Sequence, residues 1–255
     1  MGGVAPDCRA GLFSGMFTAR KAGERGRADL GWLDSRHSFS FGDYFDPKFT
    51  GFRTLRVINE DRVAAGGGFP THPHRDMEIF SYVVSGSLEH RDSMGNQRHL
   101  GPGQIQLMSA GTGITHSEYN PSSAHAAHFL QVWIQPASTG LAPSYSDWTP
   151  PADSEALSKV LLISPDGRED SATIRQDAYV YRIRLRAGEG LAHTPLPGRG
   201  VWLQVISGSL SANSKAEPAA GVQLAAGDGL AVEEEEILHL ECIENSEESV
   251  GLSFF

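Results

Sequence analysis

Cysteine is almost missing from this chain: Cys8 and Cys242 are the only two among 255 residues. No disulfide framework staples it, and the length suffices to bury two modest cores instead. Basic charge is scarce too. Twenty-one Lys and Arg face 31 Asp and Glu, a net charge of −10, which removes any broad attraction for the phosphates of a nucleic acid. Arg20, Lys21, Arg25 and Arg27 are the one local exception, and they read as a solvated, exposed segment. Glu233-Glu234-Glu235-Glu236 reads likewise as a solvated strand edge or turn and not as an ion site. Long apolar runs are also lacking. None approaches the ~18 residues of a membrane-spanning helix, and the N-terminus has no continuous apolar signal core. These absences predict a cytoplasmic protein with neither a membrane nor a nucleic-acid partner.

Glycine and proline, by contrast, number 29 and 14, as a turn-rich β protein requires. They punctuate short apolar stretches. Gly66-Gly67-Gly68-Phe69-Pro70 is a turn signal, and Ile79-Phe80-Ser81-Tyr82-Val83-Val84 reads as a strand that ends at Ser85-Gly86-Ser87. Leu88-Glu89-His90-Arg91-Asp92 turns at Met94-Gly95-Asn96, and Ile105-Gln106-Leu107-Met108 stops at Ser109-Ala110-Gly111-Thr112-Gly113. Strands this short argue for an antiparallel barrel or sandwich.

Two residue pairs stand out within that pattern: His72-Pro73-His74 and His116-Ser117-Glu118. In an extended chain, residues two apart point to the same side. Each pair therefore aims both of its groups one way, and two facing strands would bring three imidazoles and one carboxylate together. Such a donor set suits Fe, Cu, Ni, Co, Mn or Zn better than Mg or Ca, which prefer all-oxygen shells.

These residues resemble the cupin superfamily and, within it, the pirin-like proteins. Gly66, His72, His74, Glu78 and Gly86 approximate the first cupin motif, and Gly103 with Gly113-x-x-His116-x-x-x-Asn120 approximates the second. The match departs in two places. Glu78 comes one residue early, with Ile79 where the motif's ligating glutamate would stand, and the second motif has two additional residues between its parts. Pirins take the carboxylate from the second motif, two residues after its histidine. The resemblance thus implies His72, His74, His116 and Glu118 as metal ligands and leaves Glu78 out. Further similarity runs through Gly31-Trp32-Leu33-Asp34-Ser35, His37-Ser38-Phe39-Ser40-Phe41, Arg56-Val57-Ile58-Asn59 and Asp92-Ser93-Met94-Gly95-Asn96. It covers about residues 16–255 and looks most like the bacterial pirin-like proteins described as quercetinases. Residues 1–15 resemble no part of the family and are expected to be a disordered extension.

A repeat adds the domain organisation. Phe80-Ser81-Tyr82-Val83-Val84-Ser85-Gly86-Ser87-Leu88 recurs as Trp202-Leu203-Gln204-Val205-Ile206-Ser207-Gly208-Ser209-Leu210, and Leu100-Gly101-Pro102-Gly103 as Leu224-Ala225-Ala226-Gly227. A period of about 120 residues is too long for a solenoid and fits a duplicated domain. The chain is expected to be an all-β bicupin of two antiparallel β-barrel (jelly-roll) domains. Residues 16–140 would bind metal, and 141–255 would lack a complete site. The Pro-, Ser- and Gly-rich stretch from Pro136 to Pro151 marks the connection. Near the repeat position of His116-Ser117-Glu118 stands His239-Leu240-Glu241, with His193 as a further donor. However, no His-x-His precedes it. Leu238, Leu240 and Cys242 make the apolar face of that strand and would turn His239 and Glu241 to solvent.

What the resemblance implies is a metal-dependent dioxygenase that cleaves quercetin or a related flavonol or enol with O2. Its first cofactor would be Fe(II), with Ni, Co, Mn, Cu and Zn as alternatives. Glu118 would serve as ligand and proton acceptor. Phe39, Phe41, Tyr44, Phe45 and Phe69 could form an aromatic entrance for a planar ligand, although core packing is the commoner role for each of them and for His37. His90 or Gln106 could orient a ligand from behind. Two other classes fit the same residues. One is a non-oxidative cupin isomerase or lyase that turns over without O2. The other is a metal- or redox-responsive pirin-type regulatory protein that binds a protein partner. The fold does not choose among them.

Overall fold

Alternation of apolar side chains and glycine-rich turns builds this molecule from short strands. The computed structural model describes residues 17–195, 198–214, 221–233, 237–243 and 247–254. The expected extension over 1–15, Cys8 and Glu234 to Glu236 lie outside them. Among the described residues there is no α-helix, only brief 3-10 turns. The first strands are β1 (Phe17–Arg20), β2 (Gly26–Asp29), β3 (Leu33–His37), β4 (Leu55–Val63), β5 (Gly68–His74) and β6 (Glu78–Ser85). Then come β7 (Leu88–Asp92), β8 (Gln97–Leu100), β9 (Ile105–Ser109), β10 (Ile114–Tyr119) and β11 (Ala127–Ile134). The next are β12 (Ser144–Trp148), β13 (Lys159–Ser164), β14 (Ala172–Thr173), β15 (Val180–Arg186), β16 (Gly190–His193) and β17 (Val201–Ser207). The last are β18 (Ser209–Ser214), β19 (Val222–Ala225), β20 (Gly229–Val232), β21 (Leu238–Cys242) and β22 (Glu248–Phe254).

They form two matching pairs of sheets. One half has the seven-stranded order β12-β9-β6-β11-β4-β3-β2 facing the four-stranded order β5-β10-β7-β8. The other has β1-β20-β17-β22-β15-β13-β14 facing β16-β21-β18-β19. Read strand against strand, the two halves coincide, with β6 on β17, β5 on β16 and β10 on β21. The chain is therefore an all-β bicupin with a jelly roll in each half. Each half also takes an edge strand from outside the repeat. β1, the first described strand, pairs with β20, and β12 pairs with β9 at the matching edge of the other sheet. β12 lies inside the Pro136 to Pro151 stretch read as a plain connection. Its five residues add to the free edge of β9, which the local composition does not foretell.

The two seven-stranded sheets pack against each other. β11 explains how: Leu130, Val132 and Ile134 point to the other half, while Phe129, Gln131 and Trp133 point to the four-stranded sheet, by simple alternation. The shared core holds Phe39, Phe52, Phe80, Leu130 and Trp148 from the first half with Trp202, Leu252 and Phe254 from the second. Trp202 is fully buried, with its ring centroid 4.6 Å from that of Phe39 and 5.9 Å from that of Phe52. Ser38 Oγ donates to Gln204 Oε1 across the same boundary at 3.0 Å.

The basic cluster near the N-terminus is the solvated segment that its composition suggested only at Lys21 and Arg27, which are exposed. Arg20 is buried and ion-paired to Asp46, Arg25 is ion-paired to the buried Glu60, and Lys21 reaches Asp228 of the second half. Carboxylates brought in from distant strands neutralise it, and distance in sequence hides them.

Candidate metal centre

The space between the two sheets is filled differently in the two halves. In the second it is closed by aliphatic side chains, among them Leu203, Val205, Leu210, Leu238 and Leu240. In the first, an apolar floor of Leu33, Val83, Leu88 and Phe129 and a separate cluster of Ile79, Met108, Ala110 and Ile114 leave the space between them to polar groups. Above that floor runs a polar row. Gln106 pairs with Ser81, Ser81 with Gln131, Gln131 with Asn59 and Asn59 with His37, across five neighbouring strands. All five are buried. Such a row is costly unless something answers it.

Part of the answer comes from the opposite sheet. β5 and β10 pair so that His116 faces His72 and Ile114 faces His74. The register then slips, and Glu118 faces Phe69, so a bulge separates the two pairings. Bulges of this kind re-aim side chains beside functional sites. Pro70 and Pro73 are tolerated because β5 is the edge of its sheet.

The three histidines meet. One ring nitrogen from each of His72, His74 and His116 lies within 4.8 Å of the others, and Nε2 of His72 is 3.1 Å from Nε2 of His116. Burial, with the neighbouring imidazoles next, holds His74 down at about 4 and His116 at about 3. Both rings are thus neutral at ordinary pH and keep a lone pair to give, which is the state a metal needs. The donor chemistry fits a transition metal.

Glu118 is placed differently. It is fully buried and falls within 4.8 Å of His116 and His90, but not of all three histidines. Its carboxylate accepts from Ser81 Oγ at 2.9 Å, from Gln131 Nε2 at 2.6 Å and from Gln106 Nε2. The polar row therefore grips this one carboxylate. Glu78 lies elsewhere. It takes hydrogen bonds from Ser109 Oγ at 2.6 Å and from the backbone N–H of Arg175 at 3.2 Å, and burial pushes its carboxyl up.

Several neighbours of the centre were not singled out from sequence. Trp133 stands edge-on to His74 at 4.9 Å and to Phe41 at 5.4 Å, and Phe41 in turn to His37 at 5.2 Å. Tyr145 of β12 stacks on His90 at 4.7 Å. Of the five aromatics read as an entrance, Phe41 joins this group, and Tyr44 touches it at His37 with ring centroids 6.4 Å apart. Phe39 lies in the core between the halves, Phe69 packs on Trp32, Tyr44 bonds to Arg20 and Phe45 is exposed. His37 Nδ1, Asn59 Oδ1 and Trp133 Nε1 are buried and find no hydrogen-bond partner among the described residues.

The second half keeps one relic of this arrangement. His193 faces Leu238 across β16 and β21, as His72 faces His116. It is fully buried, and burial, with Lys159 nearby, lowers it to about 3. His239 and Glu241 are exposed, while Leu238, Leu240 and Cys242 are buried.

Fold and site define a class: a bicupin whose first half carries a three-histidine centre between its sheets and whose second half is closed by apolar side chains. The Pirin family model matches residues 18–134, and the model described as quercetinase C-terminal cupin domain matches 161–248. The chain is 46% identical over 232 residues to the quercetin 2,3-dioxygenase of Escherichia coli K12, across 91% of this chain and 96% of that protein. It belongs to the pirin family. A pirin-like protein of Caulobacter vibrioides is 38% identical over 223 residues, across 87% of this chain and 93% of its own length. The crystal structure of the bacterial pirin YhhW from Escherichia coli in complex with nickel(II) matches with a TM-score of 0.85 and 44% identity, covering 94% of this chain and 99% of that one. No helix among the described residues is long and apolar enough to cross a membrane.

Proposed function

We propose that this protein is a metal-dependent dioxygenase that cleaves quercetin or a related flavonol with O2. The observation that carries the reading is the convergence of three imidazoles, with His74 and His116 held neutral by burial, beside buried polar atoms that find no partner among the described residues. His72, His74, His116 and Glu118 would hold the ion, with Fe(II) first and Ni, Co, Mn, Cu or Zn as alternatives. A relative with 44% identity crystallised with nickel(II) is consistent with such a site. When bound, the ion supplies Lewis acidity toward the substrate's adjacent hydroxyl and carbonyl oxygens and a path for electrons to O2.

The chain's own side chains do the rest. Trp133 and Phe41 offer ring faces and edges to a planar ligand. His37 Nδ1, Asn59 Oδ1 and Trp133 Nε1 offer both donors and acceptors to the hydroxyls of a polyphenol, which would satisfy groups otherwise left bare. Glu118 is the base: freed from part of its hydrogen-bonded cradle, it accepts the proton of the substrate hydroxyl. Ser81, Gln106 and Gln131 set its direction and take it back afterwards.

Oxygen uptake with quercetin tests the proposal, using protein loaded anaerobically with each ion in turn and a His72→Ala, His74→Ala double variant. Equal amounts of O2 consumed and CO released by the wild type, and background rates in the variant, are expected. A folded, metal-loaded wild type without turnover on any ion would overturn it and favour the regulatory or non-oxidative readings.

A further inference from the structure

We infer that Asp92 and His90 are positioning residues that decide which ring nitrogen His116 presents to the metal. The inference rests on the proposed three-histidine centre and is carried by counting protons along a buried chain of contacts. Asp92 and His90 have side chains with no exposed surface. Asp92 Oδ1 accepts from the backbone N–H groups of Met94 at 2.9 Å and Asn96 at 3.0 Å, and Oδ2 accepts from Asn96 Nδ2 at 2.8 Å. Burial raises the Asp92 carboxyl, but the bonds from Asn96, His90 and Met94 outweigh it and hold the group below the usual carboxylate range.

A carboxylate only accepts. His90 Nε2, 3.2 Å from Asp92 Oδ2, therefore donates there, and in the tautomer this contact selects Nδ1 is the bare nitrogen. His116 Nδ1 lies 3.5 Å from His90 Nδ1, so His116 donates there. Its Nε2 is then the bare nitrogen, and it is the one 3.1 Å from His72 Nε2. His72 reaches the same state independently, because its Nδ1 is 2.8 Å from the carbonyl oxygen of Pro70, which also only accepts. Two Nε2 lone pairs thus converge by separate routes. Tyr145, stacked at 29° to His90, keeps the middle ring of the relay in place. In this way the acidic Asp92 anchors a ligand two contacts away, as outer partners of metal-binding histidines do.

Asp92→Asn reverses the order. The two backbone N–H groups at Oδ1 retain the amide oxygen there, so the amide nitrogen takes the place of Oδ2, where Asn96 turns its own amide oxygen to accept one hydrogen and His90 Nε2 accepts the other. The His90 hydrogen moves to Nδ1, against the Nδ1–H of His116, and relief of that clash puts the His116 hydrogen on Nε2, where the metal should bind. His90→Phe keeps the stack on Tyr145 and merely frees His116 to choose.

The test uses the whole chain, metal-free, titrated with Co(II) and Zn(II) against a fluorescent chelator, with long-range 1H–15N NMR of the imidazoles. Expected are a His116 with hydrogen on Nδ1 in the wild type and a loss of affinity of about 10–100-fold in Asp92→Asn. His90→Phe should lose less. An Nε2–H His116 in the metal-free wild type overturns the inference without any variant. So does an Asp92→Asn affinity equal to wild type. Binding abolished by His90→Phe but kept by Asp92→Asn would overturn it differently, by making His90 a ligand beside His116 and Glu118. Wild-type protein that takes up neither ion would overturn the metal centre and the relay together.

Discussion

At the scale of single residues, the first half of the molecule is a place where polar groups are buried and each must be answered. Asp61 is the extreme case. It is fully buried, and desolvation, with the Glu118 and Glu60 charges adding to it, raises its carboxyl from the ordinary 3.8 to about 7 against a hydrogen bond from Ser35. The unfolded chain releases this proton first, so the native state is penalised as pH climbs from 3.8 to about 7, and fully above that. Asp61→Asn should therefore stabilise the metal-free protein at about pH 8, with the gain fading toward about pH 4. Urea unfolding across that range measures it, and a gain that does not change with pH would contradict the assignment. The histidines of the centre were legible in the sequence because ligands two apart on a strand leave a local mark. Trp133, Asn59 and Tyr145 were not, since their place depends on cross-strand register, which no short window of sequence contains.

At the scale of elements, the centre depends on how closely β5 approaches β10. Gly68 shows the tolerance. A Cβ there would press on the carbonyl oxygen of Glu118 and lie 2.6 Å from Tyr119 Cα, so backbone would have to move. Gly68→Ala should push β5 away just where the bulge aims His72, and metal affinity should fall by more than about tenfold while the fold persists, because edge strands absorb local change. Chelator competition and far-UV circular dichroism together check this; an unchanged affinity would mean that the bulge does not set the histidine geometry. The strands around the centre could be read beforehand from β-branched runs and glycine stops. β12 could not, because Ser144, Ser146 and Asp147 look like linker until the edge of β9 gives them a partner.

At the scale of the whole molecule, the duplication was visible as a repeat, yet the two halves are not separable beads. Trp202 belongs to the second half but is enclosed by Phe39 and Phe52 of the first. Trp202→Ala should cost about 3–5 kcal/mol, and the loss should register in both halves. The other three tryptophans, Trp32, Trp133 and Trp148, all lie in sheets or turns of the first half. Their fluorescence during urea unfolding therefore reports on that half alone, and an unshifted midpoint would show that the halves unfold independently. The pairing of β1 with β20 reaches further still. Phe17 and its partner Val232 stand about 215 residues apart along the chain, so no local segment can supply this strand with a neighbour. Contacts so distant along the chain form late and slowly. Closing that long loop is the costly step in completing the second half, and the Lys21–Asp228 ion pair clasps the strand once it is in place.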